Sequence, residues 1–283
     1  MILLNYSDYN KVIPSIQNVK INTYFAASVL AGNIKGKVFV DNIKTPSSFY
    51  IKHPYGMSLL FGNSKNEEFN KELYKNFLNL DNSRNKFEWL QVYPSIWYSK
   101  IDNLLGAALI KKEINKAYLT SFSTEEVKNV LEYQRINYSF NKTKYKFIRN
   151  KTSSSCYKII RTTEEIYNQL KGSVIPSQFW NDSKDFYNNS IGFSLQLENS
   201  LPVSTAFASF IIDNKFELGI ETIEGYRGKS YAFHVSLALI DYCVSNGFEP
   251  IWSCHSGNFS SQKLANKIGF EESLRIPYYR LSK

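Results

Sequence analysis

A turn rich in glycine and cations joins a strand pattern to a helix pattern in the second half of the chain. The strand pattern covers residues 216–222, the helix pattern covers 230–245, and Arg227 and Lys229 flank Gly228 between them. The first backbone N–H groups of a helix have no partner within the helix, and the helix dipole adds partial positive charge there. The turn therefore predicts an anion site suited to a pyrophosphate. Close packing of a strand against a helix is an alternative reason for such a turn. Its spacing is neither that of a Walker loop nor G-x-G-x-x-G.

Two carboxylates lie on the predicted strand before this turn. Glu217 and Glu221 are four residues apart, so their side chains share one face of the strand. A carboxylate can accept the proton that an ammonium group, with a pKa of about 10, must lose before its nitrogen can act as a nucleophile. Each glutamate is therefore a candidate general base. The alternative for both is a solvent-facing row on a half-exposed strand.

The cysteines and histidines form no disulfide or metal-binding pattern. Cys156, Cys243 and Cys254 are odd in number and far apart, and the three histidines show no metal-binding spacing. Cys254 precedes His255, and neighbours on a strand point to opposite faces, which disfavours a Cys–His nucleophile. The sequence predicts no metal site and a reducing, cytoplasmic compartment.

The composition is that of a folded globular protein. The 283 residues are 43% hydrophobic, 16% aromatic and 21% charged. No segment approaches the roughly 18 apolar residues that span a membrane, and the chain shows no signal-peptide pattern at its start. The formal net charge of +9 lies in the first half, where 21 Lys and Arg face 12 Asp and Glu in residues 1–150, against 13 of each in 151–283. These lysines are scattered, which favours a solvated surface over a specific nucleic-acid partner.

Alternating helix and strand patterns must position these residues. The first half predicts strands at 34–43, 47–53, 57–62, 87–93 and 135–140 and helices at 65–80, after Pro94 and at 124–133. The second half predicts strands at 157–161, 192–198, 203–212, 216–222, 250–254 and 270–281 and helices from 162 to about 189, at 230–245 and at 259–268.

Both halves show the order three strands, helix, strand, helix, strand. A basic, serine-rich stretch from Lys142 to Ser155 predicts a boundary near 150, and hence an N-terminal α/β domain at 1–150 and a second domain at 151–283. The fold class is α/β with a mixed (α+β) sheet, and the first half is a candidate for a diverged copy of the second. No residue-level repeat supports the copy, and any α/β chain alternates in this way.

The turn resembles a known cofactor loop. The segment Arg227-Gly228-Lys229-Ser230-Tyr231-Ala232 is similar to the pyrophosphate loop [QR]-x-x-G-x-[GA] of the GNAT superfamily of acyl-CoA-dependent N-acyltransferases, with Ser230 in place of the middle glycine. A second GNAT feature, N-x-x-[SA]-x-x-L…G-F, is matched by Asn258, Ser261, Leu264, Gly269 and Phe270.

One branch of that superfamily, the acetyltransferases similar to the zwittermicin A resistance protein, resembles the chain more closely. Its turn T-x-x-x-Y-R-G-K-G-x-A is matched by Thr222, Tyr226, Arg227, Gly228, Lys229 and Ala232. Its P-x-W-S-C…N-x-x-S-x-x-L-A-x-K-x-G-F segment is matched by Pro250, Trp252, Ser253, Cys254, Asn258, Ser261, Leu264, Ala265, Lys267, Gly269 and Phe270. Weaker similarity covers His53-Pro54-Tyr55-Gly56, Leu60-Phe61-Gly62 and Glu88-Trp89.

The resemblance implies a GNAT fold in the second half that binds acetyl-CoA and acetylates an amine by direct attack in a ternary complex. The implied cofactor-binding residues are Ile220, Glu221, Thr222, Arg227, Gly228, Lys229, Ser230, Tyr231, Ala232, Asn258 and Ser261. Glu217, Glu221 and Ser261 are the catalytic candidates. Many GNAT enzymes protonate the leaving thiolate with a tyrosine at the position of Ala265, and Ser261, Tyr278 and Tyr279 are the candidate substitutes here.

The acceptor stays open at this point. The resemblance implies a small-molecule primary amine, with antibiotic or toxin self-resistance as the role and residues 1–150 shaping the acceptor site. The alternatives are a non-catalytic CoA-binding protein, in which Ser230 and Ala265 mark lost chemistry, and an acyltransferase acting on a protein lysine or on aminoacyl-tRNA. Binding of nucleic acid through the basic first half is a further, weaker alternative.

Overall fold

Residues 1–111, 128–152, 157–197 and 202–283 are described by the computed structural model of the chain. Contacts group these residues into two compact units. The first unit comprises Met1–Ile136, Cys254–Asn258 and Arg275–Lys283, and the second comprises Asn137–Ser253 and Phe259–Leu274. Within the described residues, no helix is both long and apolar enough to cross a membrane.

The first unit is built on a mixed sheet. Its elements are β1 (Ile2–Leu3), α1 (Ile13–Ile16), α2 (Tyr24–Leu30), β2 (Lys37–Val40), β3 (Ser48–Lys52), β4 (Met57–Gly62), α3 (Glu67–Phe77), β5 (Glu88–Tyr93), α4 (Ile96–Leu105), β6 (Leu109–Lys111), the start of β7 (Val130–Phe140) and the end of β13 (Phe270–Leu281). Strands β1 to β4 pair antiparallel in sequence order. Strand β5 pairs parallel with β4 and antiparallel with β13, and β6 pairs parallel with β7.

Helix α3 shows how the sequence specifies this unit. The side chain of Asn66 caps the helix by accepting a hydrogen bond from Phe69 N at 3.1 Å. Phe69, Leu73 and Phe77, spaced by four residues, are all buried against the sheet core. That core also contains Trp97 of α4 and, from β13, Tyr279 and Leu281.

The second unit repeats the element order. It contains β8 (Lys158–Arg161), α6 (Glu164–Gln169), α7 (Ser183–Asn189), β9 (Gly192–Gln196), β10 (Pro202–Ile212), β11 (Lys215–Thr222), α8 (Tyr231–Ser245), most of β12 (Glu249–His255), α9 (Phe259–Lys267) and the start of β13. Strands β8 to β11 pair antiparallel in sequence order, and β12 pairs parallel with β11. Helix α8 packs Val235, Leu239 and Cys243 onto the inner strands.

Most predicted elements are confirmed, with four differences. Residues 130–133 belong to a strand, β7, and not to a helix, because the main chain of residues 130–132 pairs with β6; residues 124–127 of that predicted helix lie outside the described part. The helix predicted from 162 to about 189 is two helices, α6 and α7, separated by a segment with Pro176. Short helices α1 and α2 and short strands β1 and β6 occupy residues for which no element was predicted.

The fourth difference concerns the stretch from Lys142 to Ser155. Its first part is a helix, α5 (Lys142–Lys151), capped by Asn141. On this helix, Tyr145 Oη donates to Asp241 Oδ1 at 2.6 Å and Arg149 Nε donates to Asp241 Oδ2 at 2.8 Å, which ties α5 to α8. The boundary between the units therefore lies at Ile136 and Asn137, before α5, and not near 150.

Candidate active site

The parallel strands β11 and β12 part in the second unit. Within residues 202–283, their pairing runs from Lys215↔Glu249 to Glu217↔Ile251, although both strands continue beyond these positions. On its other edge β11 pairs with β10 up to Ser204↔Thr222. Because the ladder to β12 ends at Glu217, the rest of β11 presents a main-chain edge to the space between the strands.

The turn after β11 has the backbone of an anion cradle. Gly228 has φ +81° and Ser230 has φ +63°, which is the left-handed region that favours glycine. Helix α8 then begins at Tyr231, and the side chain of Ser230 makes no capping hydrogen bond to it. Residues 227–230 are exposed. Since no side chain from Ser230 blocks them, the first N–H groups of α8 are available to an anion.

Three cations lie around the start of α8. Arg227, with 61% of its side chain exposed, donates from Nε to Thr222 O at 3.0 Å and from Nη2 to Glu221 Oε1 at 3.2 Å. Lys229 Nζ lies 5.4 Å from the centre of the Tyr226 ring. Lys267 Nζ lies 4.4 Å from the centre of the ring of Phe233, in the first turn of α8. The sequence motif includes Lys267, but only the structure brings it to this helix start.

The remaining predicted cofactor residues of the turn and strand are structural neighbours of this cradle. Ile220 packs at the edge of the α8 core, and Tyr231 is buried in that core. Thr222 Oγ1 and Ser204 Oγ are hydrogen-bonded at 2.8 Å. Ala232 is half-buried in the first turn of α8. The structure thus brings the predicted residues between 220 and 232 together in one unit.

Glu221 is held by the backbone of the segment between α6 and α7. Its Oε2 accepts hydrogen bonds from Ser173 N at 3.0 Å and Val174 N at 3.1 Å, while Oε1 accepts from Arg227. Gly172 has φ +143°, and a Cβ there would lie 2.6 Å from Glu221 Cγ. With its oxygens engaged in this way, the Glu221 carboxylate anchors the segment beside β11 and is poorly placed to take a proton.

Glu217 has a different environment on the same strand. It is 5% exposed, and its Oε1 accepts a hydrogen bond from Ser253 Oγ at 2.7 Å. It also lies at the last position where β11 pairs with β12, so its carboxylate stands where the strands part. Sequence reasoning included Ser253 only as part of a motif. No sequence signal could have paired it with Glu217, because that contact depends on the register of β11 and β12, which are separated by α8.

The candidates for a proton donor are divided between the units. In the second unit, Ser261 Oγ accepts a hydrogen bond from Trp252 Nε1 at 3.1 Å, and Ala265 is fully buried, which leaves no room for a tyrosine at its position. Tyr278 and Tyr279 belong to the first unit. Burial raises the pKa of Tyr279, which lies in the core of that unit.

Tyr278 stacks on Trp89, with ring centres 4.9 Å apart. Asn258 also belongs to the first unit, where its N–H donates to His255 O at 2.9 Å. The structure therefore does not bring Asn258, Tyr278 or Tyr279 into the unit that contains the cradle. Glu217, Ser253 and Ser261 remain there as polar side chains near β12.

A model of the GNAT acetyltransferase family matches residues 16–279. The chain belongs to the GNAT acetyltransferase family. It is 26% identical over 257 residues to the uncharacterized N-acetyltransferase YdfB of Bacillus subtilis (strain 168), covering 90% of this chain and 89% of that protein. GNAT enzymes bind acetyl-CoA and an acceptor, and this chain is an N-acetyltransferase homologue.

Solved structures share the GNAT fold over nearly the whole chain. A GCN5-related N-acetyltransferase-like protein from Streptococcus suis 89/1591 superposes with a TM-score of 0.67 at 18% identity, covering 97% of this chain and 99% of that one. A tandem GNAT protein from the clavulanic acid biosynthesis pathway superposes with a TM-score of 0.62 at 6% identity, covering 99% and 97%. At these identities the similarity concerns the fold alone.

The two units differ in their fit to the family's cofactor. In the second unit the strands part and the start of α8 is free of a side-chain cap. In the first unit the corresponding strands β4 and β5 stay paired from Met57↔Trp89 to Phe61↔Tyr93. There the start of α3 is capped by Asn66 and carries Glu67 and Glu68, whose charges would repel a phosphate. The residues fit acetyl-CoA in the second unit and not in the first.

Proposed function

We propose that this protein transfers an acetyl group from acetyl-CoA to the primary amine of a small molecule, at a site in the second unit. The proposal rests on two features that lie together at the end of β11. The strand edge is open beyond Glu217, and helix α8 begins without a side-chain cap after Ser230, whose backbone is in the left-handed region. The family supports the reaction class, and this geometry supports a location in the second unit.

The turn and the strand edge would hold the cofactor. Backbone N–H groups between Gly228 and Ala232 would bind the pyrophosphate, with Arg227, Lys229 and Lys267 adding positive charge. The edge from Ile220 to Thr222 would accept the extended arm of the cofactor by strand-like hydrogen bonds. Acetyl-CoA supplies an acetyl group activated as a thioester.

Glu217 would receive the proton of the acceptor amine. An ammonium with a pKa of about 10 is almost entirely protonated at pH 7, so a carboxylate beside it must take a proton before the nitrogen can attack. Glu217 lies where β11 and β12 part, and Ser253 donates a hydrogen bond to one of its oxygens and thereby fixes its orientation.

Direct transfer in a ternary complex agrees with the thiols of the described residues. Cys254 is buried and lies on the face of β12 opposite to Ser253. Burial raises the pKa of Cys243 to about 12, so that thiol stays protonated at neutral pH. Neither is suited to carry an acetyl group.

The finer assignment follows the resemblance to the zwittermicin A resistance branch. The first unit is then a diverged GNAT copy without a cofactor site, which shapes acceptor binding, and the acceptor is an aminated antibiotic or self-toxin. The shared element order of the two units supports the copy. The similarity to a tandem GNAT protein supports it as well.

Calorimetric titration with acetyl-CoA and CoA tests the proposed site. We expect the Arg227→Ala/Lys229→Ala variant to bind at least about tenfold more weakly than the native protein, since each lost charge contact to a phosphate contributes about 1 kcal/mol. The matched control removes two exposed lysines of α5 in the same unit, Lys142→Ala/Lys146→Ala, and should bind as the native protein does. Failure of the native protein to bind either ligand would contradict the proposal.

A CoA-binding protein without catalysis is the second candidate. It is favoured by the burial of Ala265, which leaves the family's usual tyrosine acid without a place. Release of free CoA in a screen of small amines, a lysine peptide and aminoacyl-tRNA separates the two candidates. Turnover with a small amine supports the enzyme, whereas tight CoA binding with no turnover on any acceptor supports the second candidate.

A further inference from the structure

A buried cluster of charges lies in the first unit, away from the residues assigned to acetyl transfer. Glu88 is 6% exposed and forms ion pairs with Lys52 Nζ at 3.1 Å and Arg84 Nε at 3.3 Å. Tyr50 Oη also donates a hydrogen bond to it. Among the described residues, the carboxylate of Glu88 is thus the ion-pair partner of two partly buried cations. The cluster keeps an excess of one positive charge.

This cluster forms the wall of a cavity of about 880 Å³. The cavity lies between the starts of β2, β4 and β5, the end of α3, and residues 80–87. Its lining contains three carboxylates and six cations, which are Lys35, Lys37, Lys52, Lys75, Arg84 and Lys86. Apolar side chains complete the lining, among them Phe39, Met57 and Phe87. The cavity is large enough for a small organic ligand.

The rim adds positive charge that has little compensation. Glu72 is paired with Lys75 at 2.7 Å, which leaves Asp81 as the rim carboxylate for the remaining lysines. Lys35 and Lys37 are exposed at the mouth. The nearby His53 is also buried, and burial, assisted by the charge of Lys86, lowers its pKa to about 3.

We infer that this cavity of the first unit binds a small organic anion, with an apolar body and one carboxylate or phosphate group. The anion would neutralise the excess charge of the cluster around Glu88, and its apolar body would cover Phe39, Met57 and Phe87. The site is separate from the cradle at the start of α8, because all its lining residues belong to the first unit. It does not depend on the proposed acetyl transfer.

Fluorescence titration with 1-naphthyl phosphate and 1-naphthoate tests the inference, with uncharged 1-naphthalenemethanol as the third probe. The protein is first saturated with CoA, and the titration is repeated on Arg227→Ala/Lys229→Ala, so that phosphate binding at α8 is excluded in either case. We expect the native protein and this variant to bind at least one anionic probe about tenfold more tightly than the alcohol. The variant Lys35→Gln/Lys37→Gln should lose at least about tenfold in affinity for that probe.

A matched control removes the same charge elsewhere in the first unit. Lys65 and Lys71 are exposed and do not line the cavity, so Lys65→Gln/Lys71→Gln should bind the probe as the native protein does. Binding of the phosphate alone or of the carboxylate alone supports the site and assigns its ligand class. Absence of binding by both anions, equal binding of the alcohol, or equal losses in the two double variants would overturn the inference.

Discussion

Two glutamates on one face of β11 have different surroundings. Glu221 accepts hydrogen bonds from two backbone N–H groups and from Arg227, whereas Glu217 accepts one from Ser253 where the strands part. The sequence predicts that both share a face, and the structure agrees. It could not distinguish them, because their partners come from the segment after α6 and from β12, which are distant along the chain.

The role proposed for Glu217 predicts a loss of turnover without a loss of cofactor. In Glu217→Gln, we expect kcat to fall about 10²- to 10³-fold, the usual contribution of a general base, while the Kd for acetyl-CoA stays within twofold. The residual rate should rise with pH toward the pKa of the acceptor amine, since the amine then loses its proton to solvent.

Steady-state kinetics between pH 6 and 10, with calorimetry of acetyl-CoA, measures this effect. Ser253→Ala keeps the carboxylate and should lose less than about tenfold in kcat. Unchanged turnover in Glu217→Gln would assign the proton transfer to another group.

The buried position of His255 predicts that the protein loses stability in mild acid. Its ring contacts Trp89 and Tyr133, and its Nδ1 accepts a hydrogen bond from Gly257 N at 2.8 Å. Burial, assisted by the charges of Arg135 and Arg280, lowers the pKa of His255 to about 4 from an ordinary value of 6.5. The unfolded chain therefore takes up the proton first. The contribution of His255 to the free energy of unfolding is complete above about pH 6.5. It is lost between pH 6.5 and 4, by at most about 3 kcal/mol.

Urea denaturation at pH 7, 5.5 and 4.5 checks this prediction. His255→Phe keeps a ring against Trp89 but cannot be protonated, so its free energy of unfolding should fall less steeply with decreasing pH than that of the native protein. Equal slopes for the two proteins would show that His255 has an ordinary pKa in the folded state.

At the scale of elements, local patterns were sufficient where one face of an element is buried. Helices α3 and α8 and strands β3, β4, β10 and β11 were predicted close to their observed bounds. Helix α5 was missed because its sequence is dominated by exposed lysines, and its one buried side chain, Tyr145, is held by α8. The parting of β11 from β12 has no local pattern at all, since it depends on the register of two strands separated by α8.

The turn into α8 predicts the effect of restoring the family's glycine. Ser230 has φ +63°, a conformation that costs a residue with a side chain about 1 kcal/mol and costs glycine little. Glycine also increases the conformational entropy of the unfolded chain, which offsets part of the stabilisation. We expect Ser230→Gly to raise the free energy of unfolding by up to about 0.5 kcal/mol and to leave acetyl-CoA affinity intact.

Gly228→Ala is the matched change in the same turn. A Cβ at Gly228 would meet no atom within 4 Å, so the cost of about 1 kcal/mol comes from φ +81° alone. Thermal unfolding and calorimetry of both variants measure these shifts. A stabilising Gly228→Ala, or a loss of acetyl-CoA binding in Ser230→Gly, would contradict the expected backbone of the turn.

At the scale of the whole molecule, the two units share an element order but differ at the strand edge and helix start proposed to bind the cofactor. We expect calorimetry to give a stoichiometry of about one acetyl-CoA per chain. The physical reason is that β4 and β5 remain paired, and that Asn66, Glu67 and Glu68 occupy the start of α3. A stoichiometry of two would show that the first unit also opens for CoA.

The sequence predicted two α/β halves and the family, but not how the chain is shared between the units. Residues 254–258 interrupt the second unit in sequence and residues 275–283 follow it, yet both segments belong to the first unit. Composition and periodicity describe local segments and carry no information about a return of the chain, in which a late segment packs into the first unit. Tyr278 and Tyr279, the two tyrosines considered as proton donors, lie in the segment 275–283 and therefore belong to the first unit.

This return has a consequence for synthesis of the protein. Tyr279 and Leu281 complete the core of the first unit, and Arg84 donates a hydrogen bond to Ser282 O at 2.7 Å. A ribosome that has translated the first 136 residues has therefore not yet produced the strand that closes their core. Strand β5 therefore has no β13 partner until residues 279–281 have been synthesised. A chain that stops near residue 275 would lack this strand, and the core of the first unit would be incomplete.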